Sequence, residues 1–298
     1  MLKNLINKFA SLKHALINRE QYKTWVPPGH YYSPIASLSE VRSNEERIFG
    51  IIEEEIPGVD LWEAEQLDLL NQFRKYYAEL PFGSYKQENL RYCFENPSYS
   101  YSDAIFLYCM MRHIRPKKIV EVGSGYSSCV ILDTNELFFG NEISCTFIDP
   151  YPQLLLSLIK NSDKDRIEIL QKRLQDIEVE KFCMLSAGDM VIIDSTHVSK
   201  VDSDVNYIFF KLLPHTNRGI YVHFHDVFYP FEYPKEWIYE GRAFNEDYML
   251  RAFLQYNKAF KVVLFNHFME LFHRDKFLKE MPLCLKNCGG SIWIKRIE

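Results

Sequence analysis

A short apolar run that ends in two glycines is the feature that most constrains this chain. Residues 119–122 predict a β-strand, Gly123-Ser124-Gly125 ends it, and residues 127–138 read as a helix. Strand, glycine turn and helix in this order form a nucleotide-cofactor site, because glycine lets the backbone turn sharply and approach a ligand with no Cβ in the way. The N–H groups at the helix start, with the hydroxyls of Ser127 and Ser128, are further donors. The pattern therefore predicts an α/β domain around a nucleotide.

Composition and charge limit the classes of protein to which the chain can belong. Its 298 residues, 47% of them hydrophobic, suit one large domain or a domain with an extra module. The net charge of −5 argues against a general nucleic-acid binder. No run of about 18 apolar residues is present, so no membrane span is expected. The chain does not begin with an apolar leader and a small-residue cleavage site, so we expect a cytoplasmic protein.

The seven cysteines indicate a reducing compartment. Their number is odd and they are scattered, several of them inside apolar runs, which is typical of free thiols. Cys284 and Cys288 form a C-x-x-x-C pair. Because no second pair and no nearby histidine pair accompany them, packing is expected there rather than zinc binding.

The N-terminal part is predicted to be helical. Residues 1–23 have an amphipathic pattern, which suits packing on the main domain or across a homodimer, or a position on a membrane surface; we expect packing. Residues 42–80 also read as helical. We therefore assign residues 1–90 to an N-terminal helical cap and lid region, and residues 91–298 to the main domain. The apolar stripe of the first helix consists of Leu2, Leu5, Ile6, Phe9, Leu12 and Leu16.

Further strands alternate with helices after the glycine turn. The predicted strands cover residues 143–148, 167–170, 190–193 and 219–224, and helical segments at 154–160 and 205–213 lie among them. This alternation predicts a parallel, doubly wound sheet. The two last strands, at 260–265 and 291–297, have no clear helix between them and suit an antiparallel hairpin at the edge of the sheet.

Polar residues follow nearly every predicted strand. In open α/β sheets, ligands bind at the carboxyl ends of the strands. Asp149 follows the glycine turn at the interval at which an acidic residue meets ribose hydroxyls, and the alternative is a helix cap before Pro150. The other residues at these ends are Leu174 and Gln175 after the third strand, Asp194 and His197 after the fourth, and His225 and Asp226 after the fifth. Their shared position predicts one site along this edge.

Glu121 extends the glycine turn into a longer motif. The run E-V-G-S-G resembles the first motif of class I S-adenosylmethionine-dependent methyltransferases, with Ser127 in place of that family's third glycine. Ser128 stands where a dinucleotide-binding turn needs glycine or alanine, which disfavours NAD. Over residues 90–297, the runs PSYSYSDA, EVGSGYSS, IDSTHVSKVDSDV and HFHDVFYPFEYP resemble the methyltransferase 24 type of bacterial proteins.

This resemblance implies a fold and a set of cofactor contacts. The expected fold is an α/β, Rossmann-like sheet of seven strands in the order 3-2-1-4-5-7-6, with an antiparallel last strand. Glu121 is expected to hold the methionine amino group of S-adenosylmethionine, and Asp149 its ribose. The expected cofactor-binding residues are Glu121, Gly123, Ser124, Gly125, Ser127, Ser128, Asp149, Leu174, Gln175 and Asp194.

Two aspartates and a histidine are the candidate catalytic residues. The fourth and fifth strands are neighbours in the expected fold, so Asp194 and Asp226 can converge and bind Mg²⁺. Such an ion would lower the pKa of an acceptor hydroxyl, and His197 could accept its proton, with or without the metal. Metal-dependent catechol and sugar O-methyltransferases are similar here, although His225-Asp226 replaces the Asp-Asn of the catechol enzymes. Alternatively, both aspartates cap turns and His197 is a buried structural histidine.

An aromatic run over residues 227–248 follows the fifth strand. At this place it can form a lid over an acceptor, while packing is the alternative for each ring. The predicted acceptor contacts are Tyr31, Tyr32, Tyr99, His225, Tyr229 and Tyr233. Together these features predict a methyltransferase that acts on an oxygen of a small hydroxylated or sugar-like molecule. The alternatives are an NAD(P)-dependent oxidoreductase and a non-catalytic cofactor-binding module.

Overall fold

The computed structural model describes residues 23–50 and 52–298. The predicted amphipathic helix lies outside these ranges except for its last residue, so its packing partner stays a prediction. The described residues belong to two compact units. The smaller one contains residues 23–50 and 235–243, and the larger one contains residues 52–234 and 244–298.

The larger unit contains a seven-stranded sheet. Its strands are β1 (Lys118–Val122), β2 (Ser144–Ile148), β3 (Glu168–Leu170), β4 (Met190–Ile193), β5 (Tyr221–His225), β6 (Phe260–Phe265) and β7 (Ser291–Arg296). Their order is β3-β2-β1-β4-β5-β7-β6, with β7 antiparallel to β5 and β6, as predicted. Val122 pairs with Ile148 of β2 and with Ile193 of β4, so the carboxyl ends of these three parallel strands lie side by side.

Most of the helices connect the strands, and several of them are short. They are α1 (Leu38–Ser43), α2 (Glu45–Phe49), α3 (Glu63–Tyr77), α4 (Tyr101–Ile114), α5 (Tyr126–Phe139), α6 (Gln153–Leu158), α7 (Glu180–Cys183), α8 (Asp204–Tyr207), α9 (Leu213–His215), α10 (Lys235–Tyr239), α11 (Glu246–Leu254), α12 (Asn266–Phe272) and α13 (Arg274–Glu280). A π-helical turn, Ile208–Leu212, joins α8 to α9. Within residues 23–50 and 52–298, no helix is long and apolar enough to cross a membrane.

The segment between β6 and β7 differs from its prediction. No helix was expected there, but α12 and α13 both lie between these strands. Each has only seven residues and buries few apolar side chains, among them Phe268 and Met269 on α12 and Phe277 on α13. An apolar face this short does not repeat often enough to produce a visible helical period.

Burial of the sheet explains the apolar composition of its strands. All four residues of β4 are buried, as are the first eleven residues of α4. Leu69, Leu70 and Phe73 on α3 are also buried, and this helix contacts α4 and β6. A parallel sheet is stable in water only when both of its faces are covered, so continuous apolar strands are expected.

All seven cysteines are free thiols, as predicted. Cys284 is buried in the core, whereas Cys288 is exposed. Neither belongs to a group of ligand atoms suited to a metal ion in the described part of the chain.

The smaller unit is held by polar contacts of α10. Glu45 on α2 accepts hydrogen bonds from the ammonium of Lys235 and from the hydroxyl of Tyr239. The guanidinium of Arg42 on α1 lies 5.2 Å from the centre of the Tyr239 ring. These contacts explain why residues 235–243 belong to this unit although they are distant in sequence.

Arg91 is the main buried cation of the larger unit. Its side chain is only 2% exposed, and its Nη1 lies 2.7 Å from Asp133 on α5 and 2.8 Å from Glu136. Its Nε donates to Asp163 at 2.7 Å. Asp133 also accepts the backbone N–H of Tyr92 at 2.8 Å. The network thereby fixes the aromatic loop before α4 to α5 and to the turn before β3.

Replacing Arg91 with alanine is expected to lower the free energy of unfolding by about 3–5 kcal/mol, because Asp133 and Asp163 would stay buried without a counter-charge. Urea denaturation followed by circular dichroism measures this loss. As a matched control, Arg74→Ala removes an exposed guanidinium that lies 3.6 Å from Glu280, which keeps its ion pair with Lys276, and should cost at most about 1 kcal/mol. If both variants lost the same small amount of unfolding free energy, Arg91 would not be the counter-charge that stabilises Asp133 and Asp163.

Candidate functional site

Gly123 joins the ends of β1 and β4. Its φ of +79° lies in the left-handed region, and a Cβ at this position would lie 1.9 Å from the carbonyl oxygen of Asp194. The N–H of Asp194 in turn donates to the carbonyl of Val122 at 2.9 Å. Only glycine satisfies both the backbone conformation and this approach. The glycine turn therefore packs directly on the first residue after β4.

The buried side chains of Ser128 and Glu121 are hydrogen-bonded to each other, and Ser128 is also bonded to the glycine turn. The hydroxyl of Ser128 accepts the N–H of Gly125 at 3.0 Å and donates to one carboxylate oxygen of Glu121. The other oxygen, Oε1, is buried and has no hydrogen-bond partner among the described residues. Burial, with the charges of Asp194 and Asp149, raises the pKa of Glu121 to about 8, although the bond from Ser128 opposes this. The structure thus leaves a buried acceptor unsatisfied beside the glycine turn.

Asp149 is held at the end of β2 by the glycine turn. Its Oδ2 accepts the N–H of Ser124 at 3.1 Å and the hydroxyl of Ser124 at 2.7 Å. Its Oδ1 accepts the N–H of Tyr151 at 2.7 Å. These bonds orient the carboxylate at the carboxyl edge of the sheet, where it was predicted.

A cleft of about 500 Å³ opens along this edge. Five of the predicted cofactor residues line it: Gly123, Asp149, Leu174, Gln175 and Asp194. Glu121, Ser127 and Ser128 are instead almost fully buried, and the last of these bonds to the turn itself. Sequence reasoning missed the far wall of the cleft, which comes from the loop after β4 and includes Lys200, Asp202, Ser203 and Asp204.

Asp194 and Asp226 lie close together, as predicted from their strand ends, and both face His197. The Nε2 atom of His197 lies 3.4 Å from Oδ1 of Asp194 and 3.5 Å from Oδ2 of Asp226. One donor atom from each of the three residues lies within 4.8 Å of the other two. The three side chains form what we call the acidic cluster.

Glu246, at the start of α11, holds the other side of His197. The Nδ1 atom of His197 lies 2.8 Å from Oε2 of Glu246, whose side chain is 1% exposed. The N–H groups of Asn245 and Glu246 donate to the carbonyl of His197 at 3.0 and 3.2 Å. Both His197 and Asp226 have a φ of +57°, a strained conformation for these residues that the surrounding contacts must maintain.

His225 approaches the same carboxylates from β5. Its Nδ1 lies 3.4 Å from Oδ1 of Asp194 and 3.5 Å from Oδ1 of Asp226, and its Nε2 lies 3.8 Å from Asp103 on α4. Asp103 also accepts a hydrogen bond from Asn266 at 2.7 Å. Sequence reasoning missed Asp103 and Glu246, because no motif spacing links either residue to the ends of β4 and β5.

The charges of the cluster shift its pKa values. Burial would raise the pKa of Asp194, but His225 and His197 hold it well below its usual range. Burial would likewise lower the pKa of His197, but Asp194 and Glu246 raise it to about 10. The ring therefore carries a proton at neutral pH in the metal-free protein. In that state it cannot accept another, which is at odds with the predicted role of His197 as a free general base.

The predicted acceptor contacts separate into buried and exposed groups. Tyr99, Tyr229 and Tyr233 are at most 3% exposed. The Tyr229 hydroxyl donates to the carbonyl of Glu53, and that of Tyr233 accepts the N–H of Asp247. Their burial favours packing over the predicted contact with an acceptor. The two remaining tyrosines, at positions 31 and 32, are exposed in the smaller unit, and their role stays a prediction.

The sequence of this chain is similar to that of known proteins. A family model for a methyltransferase domain, of the methyltransferase 24 type, matches residues 120–227. An uncharacterised protein of Archaeoglobus fulgidus is 34% identical over 173 residues, which span 56% of this chain and 76% of that protein.

Among solved structures, similar folds include the O-methyltransferase TomG of Streptomyces achromogenes, involved in tomaymycin synthesis and solved in complex with SAM. It is 13% identical, with 87% of this chain and 96% of that chain covered and a TM-score of 0.45. The SAH-bound methyltransferase PaMTH1 of Podospora anserina is 12% identical, with 92% and 99% covered and a TM-score of 0.43.

The matched family segment begins in β1 and ends just after β5, so it contains the glycine turn and both aspartates of the acidic cluster. The similarity to the archaeal protein covers 76% of that protein's length. The chain therefore belongs to the methyltransferase 24 family of class I S-adenosylmethionine-dependent methyltransferases.

Proposed function

We propose that this chain transfers the methyl group of S-adenosylmethionine to a hydroxyl oxygen of a small hydroxylated or sugar-like acceptor. One observation carries the proposal: Asp194 belongs to both halves of the site. Its backbone abuts Gly123 in the cofactor turn, and its side chain is part of the acidic cluster. A donor in the cleft and an acceptor at the cluster would therefore lie next to each other, as an in-line displacement requires.

The residues at the turn fit the cofactor. The unsatisfied Oε1 of Glu121 suits the methionine ammonium, and the Asp149 carboxylate at the cleft wall suits the ribose hydroxyls. Leu174 and Gln175 line the same cleft. The bound cofactor supplies an electrophilic methyl group on its sulfonium. The protein's part is to align the two reactants and to take up the acceptor's proton.

The acidic cluster supports an oxygen acceptor. A neutral alcohol is a poor nucleophile, so a base or a metal ion must assist loss of its proton. The carboxylates of Asp194 and Asp226 can orient the hydroxyl and accept its hydrogen bond, and His197 lies beside both of them. A divalent cation at these carboxylates, predicted above as Mg²⁺, would lower the pKa of the hydroxyl and leave the imidazole without its extra proton.

The first test is cofactor binding. Isothermal titration calorimetry with S-adenosylhomocysteine should show one site. Asp149→Ala should weaken binding by about 1.5–3 kcal/mol, because it removes hydrogen bonds to a charged group. The control, Asp165→Ala, changes an exposed carboxylate that does not line the cleft and should bind normally. Absence of binding to the unmodified protein at high micromolar ligand would end the proposal.

Binding should also depend on pH through Glu121. Its pKa of about 8 keeps the carboxyl largely protonated at neutral pH in the free protein. A ligand ammonium beside it favours the carboxylate, so binding should release a proton, and affinity should rise about tenfold per pH unit up to about pH 8.

Calorimetry in buffers of different ionisation enthalpy measures the proton released on binding. Glu121→Gln should abolish both the release and this pH dependence. A flat profile in the unmodified protein would refute the assignment of Glu121.

His197→Ala should lower the methylation rate by ~10²–10⁴, whether the ring acts on the proton directly or through a cation. Formation of S-adenosylhomocysteine with a panel of small hydroxylated molecules and sugars measures the rate. Cofactor binding should survive, because Gly123 and Asp149 are untouched. His273→Ala is the control, since this histidine pairs with Glu63 away from the cleft. Near-normal turnover in His197→Ala would exclude a catalytic role.

A further inference from the structure

We propose that Asp194, His197 and Asp226 bind a first-row transition-metal dication, such as Zn²⁺, Fe²⁺ or Co²⁺, rather than Mg²⁺, and that Glu246 is the residue that positions His197 as a ligand. The inference deepens the function proposed above and rests on the same site. It makes the imidazole a metal ligand, a role that the sequence did not predict.

The distances inside the acidic cluster suit ligands better than hydrogen bonds. Nε2 of His197 lies 3.4 Å from Asp194 and 3.5 Å from Asp226, whereas a charge-assisted hydrogen bond is about 2.7–2.9 Å long. Donor atoms that surround one tetrahedral ion at about 2.1 Å are about 3.4 Å apart. In contrast, Nδ1 of the same ring lies 2.8 Å from Glu246, an ordinary hydrogen bond. One side of the ring is thus bonded to protein, and the other faces two carboxylates at ligand spacing.

His225 provides an independent sign that something is bound here. Its side chain is 8% exposed, and its Nδ1 has no hydrogen-bond partner among the described residues. This nitrogen faces the same two carboxylates, at 3.4 and 3.5 Å. Buried polar atoms are nearly always satisfied, so a bound ion or water is the expected partner, and the two carboxylates that the nitrogen faces favour an ion.

The charge of the region also favours a cation. Four carboxylates, those of Asp103, Asp194, Asp226 and Glu246, face the two imidazole rings of His197 and His225. Even with both rings protonated, negative charge is in excess. Asp103 and Glu246 are buried, and Asp194 and Asp226 are half-buried; an excess of one sign of charge in such a place is costly, and a dication compensates it.

The donor set selects the class of metal. Mg²⁺ prefers oxygen ligands and retains much of its water, whereas imidazole suits transition metals. A histidine ligand commonly donates its second ring nitrogen to a carboxylate, which sets the tautomer and the ring orientation. Glu246 occupies that place on Nδ1, and the N–H groups of Glu246 and of Asn245, just before α11, further hold the backbone of His197. Loss of such a carboxylate typically lowers metal affinity 10–100-fold.

The test is metal binding by full-length protein that has been stripped with a chelator. Calorimetry with Zn²⁺ and absorption spectroscopy with Co²⁺ should show one site, with Mg²⁺ at least ~100-fold weaker, since imidazole contributes little to Mg²⁺ binding. His197→Ala should abolish the visible Co²⁺ bands. Glu246→Gln should weaken Zn²⁺ 10–100-fold. Glu63→Gln is the matched control: it alters the carboxylate of an exposed pair with His273, 2.7 Å apart, and should leave affinity unchanged.

If Glu246→Gln does not fold, a measurement on the unmodified protein still tests the inference. In the Co²⁺-loaded protein, NMR should show a strongly shifted, exchangeable imidazole N–H signal from a ligating histidine. Its absence, equal affinity for Mg²⁺ and Zn²⁺, or unchanged Co²⁺ bands in His197→Ala would each overturn the inference. S-adenosylhomocysteine binding is measured on the same stripped samples. Cofactor binding without metal binding defeats this inference alone, while loss of cofactor binding defeats the proposed function.

Discussion

The contact between Gly123 and Asp194 is the constraint on which the rest of the site depends. A side chain at position 123 would occupy the place of the Asp194 carbonyl, so the turn after β1 and the first residue after β4 can only meet through glycine. This approach determines where the Asp194 carboxylate lies. It thereby places the cleft beside the acidic cluster, as the proposed transfer between two bound reactants would need.

The larger unit contains two groups of opposite charges, and the two groups differ in the distances between their charged atoms. Around Arg91, one cation meets three carboxylates at hydrogen-bonding distances, and every contact is short. At the acidic cluster, two imidazoles meet an excess of carboxylates at 3.4–3.8 Å, and one ring nitrogen is unsatisfied. The first arrangement is complete without a ligand and stabilises a loop. The second has a buried ring nitrogen with no hydrogen-bond partner among the described residues, which supports the proposed cation.

Prediction from sequence succeeded where the signal was local. Strand ends are marked by a change from apolar to polar residues, and in a parallel sheet these ends share one edge, so Asp149, Asp194 and Asp226 could be placed together. The short helices α12 and α13 were missed because their apolar faces are too brief to show a period. Tyr229 and Tyr233 were predicted to contact the acceptor because they lie in an aromatic run, but their burial favours packing, which the run itself does not reveal.

The sequence by itself determined the strands and the residues that follow them, because periodicity and strand ends are properties of neighbouring residues, and the resemblance that its motifs carry implied the family and the order of the strands. Only the tertiary structure decided which partners surround His197. Glu246 is 49 residues away along the chain, and Asp103, which faces His225, belongs to a helix before the first strand. Contacts between distant segments arise from packing, which leaves no fixed spacing in the sequence. The two carboxylates that determine what the histidines can do could therefore be identified only from the folded chain.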